Sequence, residues 1–241
     1  MTTTKGLIIK ETKVGEGDKI LTILTSELGK IQAGANGARS YKSKLIAGCQ
    51  LFSYSDFVLT KKKEWYRVSS AEPCETFYNL RLDIKKLSLA TYFCDLICEV
   101  ATDGADGGDI LRLALNTLYI LTKNDNLPLI KAVFELRLMC VSGFAPSVLS
   151  CAVCAGQENL TRFDVSGGVC CESCGGVKIS AGTIDALRHV CECDLKKLFS
   201  FNVSKAVLDE LSSVAENYIV SQTGRSFKSL KYYLTISEKM V

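Results

Sequence analysis

The chain has 241 residues, 47% of them hydrophobic and 23% charged, with a formal net charge of +3. These proportions are ordinary for a soluble globular protein, and the length suffices for one large domain or two modest ones. No apolar run approaches the roughly 18 residues that a membrane-spanning helix needs, and the N-terminal residues lack the apolar region of a signal peptide. We therefore expect a soluble, cytoplasmic protein without a membrane partner.

The positive charge is concentrated in the first third of the chain. Residues 1–80 carry 12 Lys and Arg against 8 Asp and Glu, whereas residues 81–241 carry 17 against 18. A basic N-terminal region is where a polyanion such as a nucleic acid would dock, and an excess of this size permits such a partner without establishing it.

The N-terminal region has the pattern of a small β-barrel. Short segments rich in β-branched residues alternate with turn-like sequences that contain glycine. The predicted strands cover residues 6–12, 19–25, 30–35, 50–59 and 65–70, with a lysine-rich turn at 61–64. Five short strands of this kind predict a closed barrel of the OB-fold type over residues 1–78.

From about residue 76 onward the apolar residues recur at helical spacing instead. The predicted helices cover residues 80–100, 110–121, 128–139, 183–190, 206–220 and 226–234. Pro128 suits the first turn of its helix, and Ser180 and Ser204 suit the N-cap positions of theirs. The expected fold class is α+β multidomain: an N-terminal five-stranded OB-fold β-barrel, then an all-helical domain over residues 79–241 with an inserted four-cysteine zinc knuckle at 148–179.

Two cysteine pairs interrupt the helical region and have the spacing of a metal site. Cys151 and Cys154 form one Cys-x-x-Cys step, and Cys171 and Cys174 form another. Each step lets a tight turn direct two thiolates at one ion, with a following glycine to relax the backbone. Four thiolates complete the tetrahedral shell that zinc prefers and leave no open position, so we expect one structural Zn²⁺ ion.

The remaining eight cysteines raise two alternatives. Cys170 adjoins Cys171 and could compete as a ligand, although the two-residue spacing to Cys174 favours Cys171. Cys191 and Cys193 form a weaker metal candidate, for which ordinary helix-end cysteines are the better interpretation. Most of the eight lie in apolar periodic segments, where cysteine behaves as a small hydrophobe in a reducing compartment.

A glycine-containing loop between the third and fourth strands is the first candidate for contacting phosphates. It carries Arg39, Lys42 and Lys44, spaced so that they could meet successive phosphates, and Tyr41 could stack on a base. The alternative is a solvated loop without a ligand, which is what most charged runs are.

A second basic segment surrounds the start of the fifth strand. Its candidate DNA contacts are Lys61, Lys62, Lys63 and Arg67. Trp65 and Tyr66 point to opposite sides of the strand, so at most one of the two rings is free to stack. A lysine-rich hairpin also protects a sheet edge against aggregation. Within a five-stranded barrel the nucleic-acid interpretation gains weight, because OB-folds often bind strands in this way.

Motifs of catalysis are scarce. His189 is the only histidine and lies on a predicted helix, where a core or surface role is the better interpretation. The chain has no Walker-type loop, no dinucleotide fingerprint and no nucleophile elbow. These absences favour a binding protein over an enzyme.

Several strings of the chain resemble the bacterial RecO family of recombination mediators. The matching strings are residues 30–33 (KIQA), 37–39 (GAR), 43–45 (SKL), 134–138 (FELRL), 143–146 (GFAP), 167–169 (GGV) and 225–230 (RSFKSL), together with both cysteine pairs. The resemblance spans nearly the whole chain, and its middle and cysteine strings are the most specific.

The resemblance implies a non-enzymatic protein of recombinational DNA repair. Members of the family bind single- and double-stranded DNA, anneal complementary strands and help to load RecA onto strands coated by single-strand-binding protein. They act with RecR and contact the C-terminal tail of single-strand-binding protein through the helical domain. Their place is the cytoplasm, at the nucleoid. Since some members lack the cysteines, the zinc would serve the fold.

The resemblance also implies roles for individual residues. Arg39 and Lys44 match the basic loop of the family, and Lys30 matches its lysine at the start of the third strand. Asn36 stands where the family often has a basic residue. A helical groove edged by cations would suit the carboxylate of the partner's tail. Arg137 is our candidate for that contact, against the simpler interpretation of a solvated helix-surface arginine.

Two other classes of protein remain open. A zinc-ribbon scaffold that binds only proteins would lack DNA binding by residues 1–80. An NAD-dependent protein deacylase also uses a four-cysteine ribbon, but it needs a glycine-rich dinucleotide segment and a catalytic histidine. This chain has no such segment, and its one histidine is far from any glycine fingerprint.

Overall fold

The computed structural model describes residues 1–62 and 65–239, which form two compact units. The first unit comprises Met1–Thr122 and the described residues from 231 onward, and the second comprises Lys123–Leu230. Lys63, a predicted DNA contact, lies outside the described residues. In the part of the chain that is described, no helix combines the length and apolar character needed to cross a bilayer.

A closed five-stranded barrel forms the N-terminal part of the first unit. Its strands are β1 (Thr2–Val14), β2 (Asp18–Thr25), β3 (Lys30–Ala35), β4 (Tyr54–Lys62) and β5 (Trp65–Glu75). They follow one another around the barrel in the order β1-β2-β3-β5-β4, and β4 pairs back onto β1. Neighbours are antiparallel except β3 and β5, which pair in parallel. The OB-like barrel that the sequence predicts is confirmed.

β1 closes the barrel because it pairs with two strands along its length. Its first half pairs with β4 and its second half with β2, and the register shifts between Ile8 and Lys10. Such a β-bulge bends a strand, and here Ile8 and Ile9 are both buried. A Cβ on Gly6 would lie 2.5 Å from Ile23 Cγ2, so only glycine fits this crossing point.

Aliphatic and aromatic side chains from every strand fill the barrel. The buried residues of this core include Ile8, Leu21, Ile23, Ile31, Ala33, Phe57, Leu59 and Val68. Each large side chain removed from water in this way contributes roughly 1.5–3 kcal/mol, which is why the alternating pattern of the sequence selects the inward face.

β4 begins and ends later than the sequence predicts. Residues 36–53 form turns, and Phe52 takes a left-handed backbone conformation at φ 68° while its ring is buried. The backbone of this segment bonds to Ile8 instead of extending the strand. At the other end, Lys61 and Lys62 belong to β4, because they pair with β5 across the sheet.

Six α-helices follow in the described residues. They are α1 (Ile84–Val100), α2 (Gly108–Lys123), α3 (Leu127–Val141), α4 (Ala181–Glu192), α5 (Lys205–Thr223) and α6 (Lys228–Lys239). The predicted caps are confirmed: Ser180 Oγ accepts from the Thr183 N–H, and Ser204 Oγ from the Val207 N–H. Pro128 lies in the first turn of α3, as expected.

α3 is the buried centre of the second unit and packs against α4 and α5. It is apolar on nearly all sides, yet it carries two charged residues that are almost inaccessible to solvent. Lys131 Nζ lies 3.0 Å from Glu135 Oε2 and 2.7 Å from Glu216 Oε1 on α5. The ion pairs allow these charges to be buried, since a lone charge in such a place would be strongly disfavoured.

Candidate metal centre and nucleic-acid interface

The two cysteine pairs converge on one point. The Sγ atoms of Cys151, Cys154, Cys171 and Cys174 all lie within 4.8 Å of one another, and those of Cys154 and Cys171 are 3.8 Å apart. Sulfurs that surround a zinc ion tetrahedrally at about 2.3 Å are themselves about 3.8 Å apart. The donor set therefore fits one metal ion with four ligands.

A small sheet holds the second pair in place. Its strands are β6 (Leu160–Asp164), β7 (Gly168–Cys171) and β8 (Val177–Lys178), in the order β7-β6-β8. Cys171 ends β7, and Cys174 ends the short 3-10 turn that follows. Gly175 and Gly176 then reverse the chain at φ 94° and 90°, values that strongly favour glycine.

The first cysteine turn differs from the expectation in one detail. The sequence assigns the relaxed backbone to Gly156, whereas Ala155 has the positive φ, 59°. The Ala155 N–H donates to Cys151 O at 2.9 Å, and the Cys151 N–H donates to Gly156 O at 2.7 Å. These two backbone bonds close the turn and offset the cost of a left-handed alanine.

Backbone amides favour a charged sulfur at this centre. Hydrogen bonds from the backbone of Cys154 and Cys171 lower the pKa of Cys151 to about 5. By contrast, hydrogen bonding with the sulfurs of Cys171 and Cys154 raises the pKa of Cys174 above its ordinary value. Four thiolates repel one another in so small a volume, and a bound divalent cation would offset that electrostatic repulsion.

Cys170 lies outside the cluster. Its side chain is fully buried, with Sγ 3.8 Å from Gly168 O. Its thiol hydrogen-bonds with that of Cys151, so Cys170 borders the cluster, but it is not one of the four cysteines whose sulfurs converge. Cys191 belongs to the weaker metal candidate. Its thiol shares a hydrogen bond with the Cys140 thiol, and this bond raises the pKa of Cys191.

The basic loop of the barrel presents exposed cations. They are Arg39, Lys42 and Lys44. Arg39 Nη1 donates to Gly15 O at 3.0 Å, which ties the loop to the turn between β1 and β2. Lys42 Nζ lies 5.4 Å from the ring centroid of Tyr41, and that ring is 82% exposed. The loop thus offers both charge and an aromatic face to solvent.

The second basic segment separates its two aromatic rings, as the strand alternation predicts. Lys61, Lys62 and Arg67 are exposed, and Lys61 and Lys62 lie across the sheet from Tyr66 and Trp65. Tyr66 packs against the barrel core, with Lys61 Nζ 5.6 Å from its ring centroid. Trp65 is 52% exposed and is therefore the ring that can stack.

Lys30 occupies a more structural position than the exposed cations. Its Nζ donates to Cys98 O at 2.8 Å, near the C-terminal end of α1, and lies 3.6 Å from Asp103 Oδ1. Helix-end carbonyls lack helical partners and attract cations. The ammonium is thus engaged within the first unit, which leaves it less available to a phosphate.

A basic cavity of about 580 Å³ in the first unit is not predicted by any pattern in the sequence. Lys13, Lys19, Arg39 and Arg81 contribute to its wall, together with the carboxylate of Glu11. Lys19 Nζ is 2.7 Å from Glu11 Oε2. No spacing in the sequence links residues so far apart, because only closure of the barrel brings them together.

Arg137 bonds to the end of a neighbouring helix. Its Nη1 donates to Val190 O at 3.0 Å and to Cys191 O at 2.6 Å. Both carbonyls belong to the last turn of α4, where they have no helical donor. Arg137 is partly buried, so the simple picture of a solvated surface arginine is wrong; its contact with a partner's carboxylate stays a prediction.

Comparison with known proteins covers nearly the whole chain. The family model described as Recombination protein O N terminal matches residues 1–77, and the one described as Recombination protein O C terminal matches residues 81–231. The DNA repair protein RecO of Acetivibrio thermocellus is 40% identical over 241 residues, or 97% of this chain and 96% of that protein. The protein of that name from Alkaliphilus metalliredigens is 38% identical, covering 95% and 96% of the two chains.

Proposed function

Because the chain belongs to the RecO family of DNA repair proteins, we propose that it is a non-enzymatic mediator of recombinational repair. In this proposal the protein binds single- and double-stranded DNA and anneals complementary strands. With RecR it assists the loading of RecA onto strands coated by single-strand-binding protein. A cytoplasmic location at the nucleoid belongs to the same proposal.

The exposed cations of the barrel are the observation that carries this proposal. Arg39, Lys42 and Lys44 project from the basic loop, and Lys61, Lys62 and Arg67 from β4 and β5. Cations on the surface of a barrel neutralise phosphates with little preference for sequence. Annealing requires no covalent chemistry, only reduced repulsion between two strands that are held close together.

The four-cysteine cluster serves the fold in this proposal. Its ion is Zn²⁺, and it fixes β6, β7 and β8 to the turn of the first cysteine pair. A four-sulfur shell has no open position for water, so the ion takes no part in a reaction. The convergence of all four sulfurs within 4.8 Å, with 3.8 Å between those of Cys154 and Cys171, supports zinc.

The protein partners are proposed on family membership. RecR and the C-terminal tail of single-strand-binding protein are the expected partners, with the tail on the helical domain. Arg137 remains the candidate for the tail's carboxylate, and such a contact would compete with its bonds to α4. The division into an OB-fold domain at 1–78 and a helical domain at 79–241 stays a prediction.

Strand annealing is the experiment that tests the proposal. Two complementary fluorescent oligonucleotides are mixed with and without the protein at low salt, and the rate of duplex formation is followed. We expect the protein to accelerate the reaction. DNA binding without acceleration would remove annealing from the proposal, and absence of both would favour the zinc-ribbon protein scaffold.

A further inference from the structure

We propose that the barrel carries a base-stacking cleft in which Trp65 receives one unpaired nucleobase of single-stranded DNA. The cleft is distinct from the basic loop. The inference rests on the proposed DNA binding and deepens it, because it assigns to one residue the contact with a base instead of a phosphate.

The cleft has a volume of about 420 Å³ and lies where three strands meet. Its wall includes Gln32 of β3, Lys61 of β4 and Trp65 of β5. β3 and β5 run in parallel as neighbours, so the starts of both strands lie at the same end of the barrel. The opening is therefore built largely from strand residues, and Leu28, Asp103 and Gly104 complete its wall.

Trp65 points to the outer face of β5, where its indole is open to solvent. The neighbouring Tyr66 packs against the core, whereas the indole of Trp65 is 52% exposed. An exposed indole forgoes the stabilisation that burial of a large aromatic side chain gives. Stacking on a base would recover it, and every base offers a π-face, so such a site tolerates any sequence.

The charges around the cleft suit a nucleotide. Lys62 lies across the sheet from Trp65, and Arg67 follows it two residues along β5, on the same side of the strand. Both are exposed and can meet the phosphates on either side of a stacked base. Among the described residues of the wall, the one carboxylate is that of Asp103, and it lies 3.6 Å from Lys30 Nζ, which offsets its repulsion of a phosphate.

The cleft and the basic loop lie at opposite ends of β3. The strand starts at Lys30 beside the cleft and ends at Ala35 just before the loop. Trp65 lies level with Gln32, because Ala33 pairs with Tyr66, and three steps of about 3.3 Å separate that level from Ala35 by roughly 10 Å. One single strand can thus contact the loop through its phosphates and the cleft through a base.

Trp65 is the only tryptophan of the chain, so its emission reports on the cleft alone. The wild-type protein is titrated at low salt with oligothymidylate, with an abasic strand of the same length and with a duplex. We expect oligothymidylate to quench the emission. The abasic strand and the duplex should bind through their phosphates and leave the emission unchanged, because neither offers an unpaired base.

Three variants test the same point by binding of labelled DNA. Trp65→Ala should weaken binding of oligothymidylate about fivefold to a hundredfold and leave the salt dependence unchanged, since it removes a ring and no charge. Trp65→Phe should retain most of the affinity. Tyr78→Ala is the matched control: this ring is 61% exposed in the same unit and does not line the cleft, so its removal should have no effect.

The outcomes separate this inference from the proposed function. Equal quenching by abasic and base-bearing strands would overturn stacking, because the signal would then come from the backbone. Salt-sensitive binding of both strands without any change in emission would overturn the cleft and leave the DNA-binding proposal intact. No binding of any strand at low salt would overturn both.

Discussion

Lys19 and Lys44 carry the same charge in very different settings. Lys19 is 8% exposed and donates to Glu11 and to Cys49 O, so its charge is already compensated within the barrel. Lys44 is exposed on the basic loop. A phosphate should bind more favourably to an exposed lysine such as Lys44, because its solvated ammonium does not first have to break a salt bridge within the protein.

Removing two exposed cations should therefore weaken DNA binding and its response to salt. We expect Arg39→Ala with Lys44→Ala to lower the affinity for single-stranded DNA and to reduce the salt slope by about 0.7 for each phosphate that is no longer neutralised. Fluorescence anisotropy over a salt series measures both quantities. Lys196→Ala with Lys197→Ala removes two exposed lysines of the second unit and should change neither; an equal drop in affinity for both double variants would contradict the assignment of the loop.

Lys131 shows what a buried cation does for stability. Glu135 is 0% exposed and pairs with it, so Lys131→Met should lower the free energy of unfolding by about 3–5 kcal/mol. Lys131→Met combined with Glu135→Leu should recover much of that stability, because neither buried charge remains. Urea unfolding measures both variants, and a double variant no more stable than the single one would contradict the ion-pair account.

At the level of the elements, local patterns in the sequence predict some parts of the fold and not others. β2 and β3 match their predicted ranges closely, because alternation and the flanking glycines specify them locally. The segment 50–53 alternates as a strand does, but Phe52 bonds to Ile8 far along the chain, and no local pattern encodes that bond. The short strands β6 to β8 depend on the cysteine turns around them in the same way.

The candidate site residues also divide into those that the local sequence predicts and those that depend on distant contacts. Cys151 and its partners are predicted by spacing, because two short loops are enough to bring four sulfurs together. The exposed cations of the loop are predicted by composition alone. By contrast, Lys30 meets the end of α1, and Arg81 joins a cavity with Lys13, only after the chain has folded.

The cysteine cluster gives a prediction with a matched control in the neighbouring residue. Cys171→Ala should abolish binding of one zinc per chain and lower the melting temperature of the protein, since a structural metal stabilises the fold directly. Cys170→Ala should retain the zinc, because Cys170 is not one of the four cysteines whose sulfurs converge. Metal analysis and thermal melting measure the two effects. Absence of zinc from Cys170→Ala alone would reverse the ligand assignment.

The free energy of unfolding should depend on pH, because the N-terminus of α4 binds the carboxylate of Glu210. Hydrogen bonds from Thr183 and Ser180 hold the pKa of Glu210 on α5 below its usual value. A carboxyl whose pKa is lower in the folded chain contributes stability above its unfolded pKa, and that stability disappears as pH falls through the folded pKa. Glu210→Gln should lower the free energy of unfolding by about 1 kcal/mol at neutral pH. In acid, urea unfolding should give the same free energy of unfolding for Glu210→Gln and for the wild type. A difference that persists in acid would contradict the charge-based explanation.

At the level of the whole molecule, the two compact units separate two kinds of chemistry. The first unit holds the barrel with its exposed cations and the half-exposed Trp65. The second holds the four-cysteine cluster and the buried ion pairs of α3. Membership of the RecO family connects these units to DNA repair. We therefore propose that the first unit binds DNA and that a metal ion stabilises the fold of the second.

The salt dependence of binding to single-stranded DNA tests this account most directly. The protein is titrated with a labelled oligonucleotide at several salt concentrations. We predict tight binding at low salt and a logarithm of the binding constant that falls linearly with the logarithm of salt concentration, by about 0.7 for each phosphate neutralised. No binding at low salt, or an affinity indifferent to salt, would contradict the assignment of the barrel's exposed cations to DNA.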